Sequence, residues 1–469
     1  MKTSIKDASK VSLDGETKGV KTLLGDPKKA IIKLVGPLLV ALLVQTLYYL
    51  FDAIWVSGLG ADALAAIGFV FPFFIMATAL SSGLSIGGVS GISRRIGAND
   101  KEGANNVAVH TFITMILVAT IFAVPFFIFA HDLFVLIGAG RTAYMASSYA
   151  RILAAGSIIL FFSFISGAIL RSEGDTKRPM YAMIIGASLN IILDPIFIYT
   201  FNLGVAGAAW ATILSMSVAS VLLFNWIFIQ KNTYLSFTFR GFHFDKKIMK
   251  DIFRVGMPAS LQQLSLSVMM LMINFIIISF ADSDGVAVFS TGWRVVTIAI
   301  LPLYAMNLAT VPVVGVAFGS NAFDKLNTAY LYAIKIGFLI ECAIALFIFI
   351  FAPWIAAVFT QTEAAARIAP DLETFFRIIC IFFPGVVFGM TSSAVFQGIG
   401  KGIYAFSVTF FRTILLTPIL IILFALIFDM GLQGMWWGLV IGNLAASAIA
   451  FTWGKLYINK LRAKVVPNI

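Results

Sequence analysis

Twelve long apolar segments follow one another along the chain, and no polar stretch between them is long enough to carry a soluble core of its own. A bilayer core about 30 Å thick takes ~20 apolar residues per helix. The segments cover 30–56, 63–92, 106–130, 144–170, 180–201, 204–230, 252–281, 286–314, 328–352, 374–399, 403–428 and 435–458. They are continuous rather than alternating with a period of two, which excludes a transmembrane barrel. Composition agrees, with 60% apolar and 12% charged residues in 469. Soluble proteins carry about a quarter charged residues, so a globular cytosolic enzyme is excluded. The expected fold is an all-α membrane protein of twelve transmembrane helices.

The net charge of +11 reports orientation. Cytoplasmic loops collect Lys and Arg. Of the 33 cations, 26 fall on one side, eight of them in the leading segment and six between Lys231 and Arg254. The other side holds only Arg141 and Arg367, and Arg151, Arg294, Lys335, Arg377 and Arg412 lie inside spans. Both termini are therefore expected in the cytoplasm of a multi-pass plasma-membrane protein. The basic excess meets anionic lipid head groups, and no nucleic-acid partner is implied. No apolar core precedes Ala30, so no cleavable signal is expected. Cys342 and Cys380 have no spacing partner, and His110, His131 and His243 are scattered, so neither a zinc site nor another cofactor is expected.

The chain repeats itself at about half its length. At an offset of 222, Ser57, Asp62, Ala65, Gly97, Asn99 and Asn105 fall on Ser279, Asp284, Ala287, Gly319, Asn321 and Asn327. At 227, Gly204, Gly207 and Trp210 fall on Gly431, Gly434 and Trp437. Two six-helix bundles of the same orientation follow, related by a pseudo-twofold axis along the membrane normal. The expected division is a polar cytoplasmic segment 1–29, a bundle 30–230, a basic linker 231–251, a bundle 252–458 and a tail 459–469. The cavity between the bundles is the expected substrate path.

Ionisable groups inside spans are costly and mark function by default. Only three acids qualify, Asp52, Asp194 and Glu341. Asp52 and Asp194 sit at similar depth, Asn190 shares a helix face with Asp194, Tyr48 shares one with Asp52, and Thr212 reaches nearly the same level. These oxygens suit a hard cation such as Na⁺, held by Asp52, Asn190, Asp194 and Thr212, or a proton-binding pair of acids. Pro195 bends span five and frees a carbonyl beside Asp194. In the repeat Asp52 falls on Asn274, and the counterpart of the Asp194 region, TPILIILF, has no acid. The carboxylates thus belong to one half. A structural reading stays open beside the functional one: Asp52 near the interface, Asp194 capping the proline kink. For Glu341, with Lys335 on the same span, a structural role is the better reading. Gln262, Gln263 and Asn274 in span seven are candidates for the substrate cavity, whereas Arg294, Arg377 and Arg412 fit snorkelling and cavity-lining equally.

The series YYLFDAIWVSGLG, RSEGDTKRP, LNIILDP and GVAGAAWAT together resemble the multidrug and toxic compound extrusion (MATE) transporters, closest to their archaeal and DinF-like branch. The resemblance covers essentially the whole chain after residue 25. It implies a secondary active antiporter, not an enzyme, that exports organic cations or amphipathic compounds as a monomer, driven by inward flow of H⁺ or Na⁺. The family's cation site would fall on Asp52, Asn190, Asp194 and Thr212, with Tyr48 close by. Relatives often carry an asparagine in span four where Ser166-Gly167 stands here, which leaves the coupling ion open. A lipid-linked oligosaccharide flippase of the same superfamily is the alternative, disfavoured by the few cations within spans. A membrane-embedded lipid-modifying enzyme would need a clustered acid, base or metal set that the scattered histidines and cysteines do not supply. A channel would need a filter-like repeated motif, and none is present.

Overall fold

The computed structural model describes residues 17–237 and 242–464, and every regular element among them is a helix. A short helix, Lys18–Leu24, leads into span one, Pro27–Ser57. Spans two and three are Ala61–Gly97 and Lys101–Leu136, and spans five and six are Lys177–Thr200 and Gly204–Ile229. In the second half, spans seven and nine are Lys246–Ser279 and Phe323–Phe359, and spans eleven and twelve are Gly402–Ile427 and Gly431–Ala463. Span eight ends in the helix Leu301–Gly319. Ten helices can cross a bilayer unaided, or twelve when each of two bent pairs counts as one span. The bent pairs are span four, Gly140–Ala155 with Ser157–Ser172 at 47°, and span ten, Ala369–Ile379 with Phe382–Gly398 at 51°.

Hydropathy read spans four and ten as straight runs, and the structure breaks both. At the first break, Gly156 lies so close to the Ile213 side chain that a Cβ would collide with it. Helical geometry runs unbroken from Lys246 to Ala299. A straight helix of that length would be roughly 80 Å long, more than two bilayer cores. Yet Asp251 near its start and Gly319 beyond its end both touch Arg94, so the chain doubles back after Ser279.

Spans one, three and seven start on acidic caps on the terminus-bearing side. Asp26 accepts from the Lys28 N–H at 3.0 Å with Pro27 in the first turn, Asp100 from Gly103 at 2.8 Å, and Asp245 from Lys247 at 2.7 Å. The sequence repeat is also a repeat of backbone turns. Left-handed residues pair up across the halves: Asn99 (φ 59°) with Asn321 (54°), Gly174 (81°) with Gly400 (79°), Asn202 (54°) with Asp429 (53°), and Gly204 with Gly431, both at 55°. The ion pairs Arg141–Asp62 and Arg367–Asp284, each 2.7 Å, match in the same way.

The halves meet at their terminus-bearing ends. Arg94 and Arg95 of span two hold the two oxygens of Asp251 at 2.9 and 3.1 Å, and the Ser90 hydroxyl donates to the Gln397 carbonyl at 2.6 Å. Gly97 packs against the Val316 carbonyl and Gly319 against that of Arg94, so closely that a Cβ at either would collide with backbone. At the opposite ends, Val56, Ala66, Val70, Phe134, Tyr149 and Ala208 form a core made of the first half alone. The two halves are therefore joined where the termini lie.

The connection between the halves is tied to the first one. Glu173, 1% exposed, accepts the Tyr234 and Leu235 N–H groups at 2.7 and 3.3 Å, and Arg178 donates to the Asn232 carbonyl at 2.8 Å. Burial pushes the Glu173 carboxyl up to about 8, against the opposing pull of those N–H groups and of Arg178.

Candidate functional site

Four of the five candidate coupling residues form one hydrogen-bonded chain. The Asn190 amide donates to Asp194 Oδ1 at 3.3 Å and to Thr212 Oγ1 at 3.5 Å, and the Tyr48 hydroxyl lies 3.4 Å from the same Thr212 oxygen. Spans one, five and six each contribute. Asn190, Asp194 and Thr212 are buried, at 1%, 0% and 4% exposure. Asp52 joins by proximity rather than by a hydrogen bond, close enough that the two carboxylates repel.

What the cluster lacks is donors. Asp52 Oδ1, Asn190 Oδ1 and Asp194 Oδ2 are buried with no hydrogen-bond partner. Among the described residues, no cationic side chain lies within 4 Å of either carboxylate. Buried acceptors without donors are unfavourable in a membrane interior. Three converging oxygens of this kind fit a proton or a small hard cation. Pro195 ends the regular helix, and a wide π-helical turn, Ile196–Thr200, follows directly. Such turns concentrate at functional sites.

Tyr149 of span four is a member that the sequence did not single out. It is 8% exposed and close enough to Asp52 and Asp194 to interact electrostatically with both. One tyrosine among 45 phenylalanines and 12 tyrosines gave no signal.

The span-seven candidates divide. Gln262 and Gln263 line a polar cavity of about 110 Å³ between spans two, seven, eight, ten and eleven. Asn274, half-buried, is not part of its lining. Of the three arginines left between two readings, Arg377 pairs with Glu373 at 2.6 Å on an exposed face and Arg294 is exposed, whereas Arg412 is buried and lines the cavity. Glu341 is fully buried near the Leu303 backbone, and both its carboxyl oxygens are without a hydrogen-bond partner.

Paired helical bundles joined at one end, with the Asp52 and Asp194 carboxyls set among polar groups inside the first, define the class as a helical membrane transporter. The chain matches the MatE family over residues 37–196 and 258–423, and it belongs to that family. A MOP superfamily transporter from Pyrococcus furiosus is similar at 46% identity, covering 95% of this chain and 99% of that one, with a TM-score of 0.91. The outward-facing conformation of a multidrug resistance MATE family transporter matches equally, again at 46% identity and a TM-score of 0.91 over 95% and 99% of the two chains. The multidrug export protein MepA of Staphylococcus aureus is 26% identical over 435 residues, 90% of this chain and 93% of the relative. The family consists of transporters, not enzymes.

Proposed function

We propose that this chain is a secondary active multidrug efflux antiporter, exporting organic cations or amphipathic compounds in exchange for H⁺ or Na⁺. The names of its relatives support export of drugs. The observation that carries the coupling is the donor-poor cluster of Tyr48, Asp52, Asn190, Asp194 and Thr212, with Tyr149 beside it. In the outward-open form an entering proton or Na⁺ neutralises Asp52 and Asp194, whose uncompensated charge is costly to bury. The altered packing of span one against spans five and six then favours closure of the first half and release of the exported compound. The ion drives this only if it binds the two states unequally.

The moving units are residues 30–230 and 252–458, joined by 231–251, working as a monomer in the plasma membrane with both termini in the cytoplasm. The closed, Arg94-centred end then faces inward. Proteoliposomes given a pH gradient and, separately, a Na⁺ gradient test the reading. Efflux of a cationic dye under one gradient is expected, and is lost in Asp52→Asn and Asp194→Asn. Efflux undiminished in both variants rules the reading out.

A further inference from the structure

The polar cavity, lined by four spans of the second half and by Ser82 and Ile86 of span two, stands apart from the coupling cluster. Its 110 Å³ compares with about 30 Å³ per water in the liquid, so it has room for a small head group. Its polar groups fall into two sets. Gln262 is saturated: Nε2 donates to Thr409 Oγ1, Ser393 Oγ and the Ala405 carbonyl at 2.7, 2.8 and 2.9 Å, and Oε1 accepts from Gln397 at 2.8 Å.

Arg412 and Asn307 make up the other set. Each is only 8% exposed. Arg412 Nε and Nη1 and both amide atoms of Asn307 are buried with no partner. Among the described residues no carboxylate lies within 4 Å of the guanidinium. A guanidinium stays protonated in proteins, so it is a permanent cation with two unused donors. The cavity lining contains no acid to offset it.

The backbone is built to place this side chain. Arg412 sits in a π-helical segment, Phe411–Leu416, whose widened turn is closed by Thr417 Oγ1 donating to the Arg412 carbonyl at 2.7 Å. With the halves aligned on Gly174 and Gly400, Arg412 falls opposite Gly186, which lies in regular α-helix. The distortion therefore belongs to the second half and does not come from the shared repeat.

We propose that the Arg412 cavity is an anion-recognition subsite, taking the phosphate, carboxylate or sulfonate head of an amphipathic substrate. Nε and Nη1 lie on different edges of the guanidinium, and each offers a charge-assisted N–H to an oxygen of an anionic group. The Asn307 amide donates beside them. The inference rests on the export reading and narrows its substrate class to amphiphiles that carry an anionic group, zwitterions included. A free phosphate ester and a phospholipid head group share this chemistry.

The test uses the full-length protein in nanodiscs of neutral lipid with no ion gradient. Dodecyl phosphate and dodecyltrimethylammonium, of equal tail length, are titrated by calorimetry. The wild type is expected to bind the phosphate about tenfold more tightly. Arg412→Gln abolishes that preference and Arg412→Lys keeps part of it. Asn307→Ala weakens phosphate binding severalfold and serves where Arg412→Gln does not insert. Competition by phosphatidic acid in the disc assigns the site to a lipid head group, and competition by phenyl phosphate assigns it to a soluble ester. Equal binding of both amphiphiles by the wild type overturns the proposal, as does phosphate binding unchanged in a folded Arg412→Gln or in Asn307→Ala. Gradient-driven dye export without a phosphate preference rejects the subsite alone. A phosphate preference without gradient-driven export rejects the antiport reading alone.

Discussion

Span five carries Asn190 and Asp194, while span eleven, its counterpart in the second half, carries Arg412 and no acid. The turns that bound these spans are nevertheless nearly superimposable in φ, with Asn202 matching Asp429 and Gly174 matching Gly400. Just before Gly174 stands the buried Glu173, and before Gly400 stands the buried Ile399. The halves have kept the turns that bend the chain and the Arg141–Asp62 and Arg367–Asp284 pairs, and diverged in the charges inside spans five and eleven. Symmetry here is a property of backbone conformation and packing, and the chemistry is asymmetric on top of it.

The largest expected effect tests whether coupling is confined to one half. Asp194→Asn and Asp52→Asn each reduce gradient-driven efflux to background in proteoliposomes. Placing a carboxylate at the repeat-related position, Asn274→Asp, in the Asp52→Asn protein does not restore it, and rescue would break the asymmetry.

The next effect concerns the surface where the halves meet. Gly97→Leu or Gly319→Leu forces a side chain into backbone, an overpacking worth about 1–3 kcal/mol against the closed terminus-bearing end. Replacing Cys342 and Cys380 by serine and placing a cysteine at the buried Ser93 gives a readout, namely faster thiol labelling in the glycine variants. Asp251→Asn acts on the same end by leaving Arg94 and Arg95 facing each other. Their side chains are about a fifth exposed, so roughly 1–2 kcal/mol is expected, seen as a smaller rise in labelling.

Glu173 gives the half-specific pH dependence. Its carboxyl is neutral in the native fold up to about 8, whereas the unfolded chain ionises it near 4.5. Unfolding between those values releases a proton, so the contribution of Glu173 is complete below 4.5 and is lost as pH rises towards 8. Glu173→Gln flattens this part of the melting-temperature profile in detergent. The smallest effect is that of Tyr48→Phe, which removes a long hydrogen bond to Thr212 and costs at most about 1 kcal/mol. It shows as a modest rise in the ion concentration needed for half-maximal efflux.

Span number and the Asp52–Asp194 pairing were legible because a carboxylate in an apolar run stands out against its neighbours. The two breaks are marked less plainly: Gly156 stands at the first, and at the second Pro384, four residues on, cannot donate to the Cys380 carbonyl. Arg412 could not be placed from sequence because a guanidinium on a long stem reaches either a lipid interface or a cavity, and the π-helical turn decides which. Asn274 shares span seven with Gln262 and lies twelve residues further on. At 1.5 Å per residue that is about 18 Å deeper in the helix, beyond the cavity.

The contact of Gly97 with the Val316 carbonyl and of Gly319 with the Arg94 carbonyl adds a main-chain seam to the side-chain contacts that close one end of the molecule. Side chains hop between rotamers and admit water between them. A backbone seam has no rotamers to change, and it opens only when whole helices separate. A transporter built this way holds its shut end by main-chain contact beside the Arg94, Arg95 and Asp251 side chains.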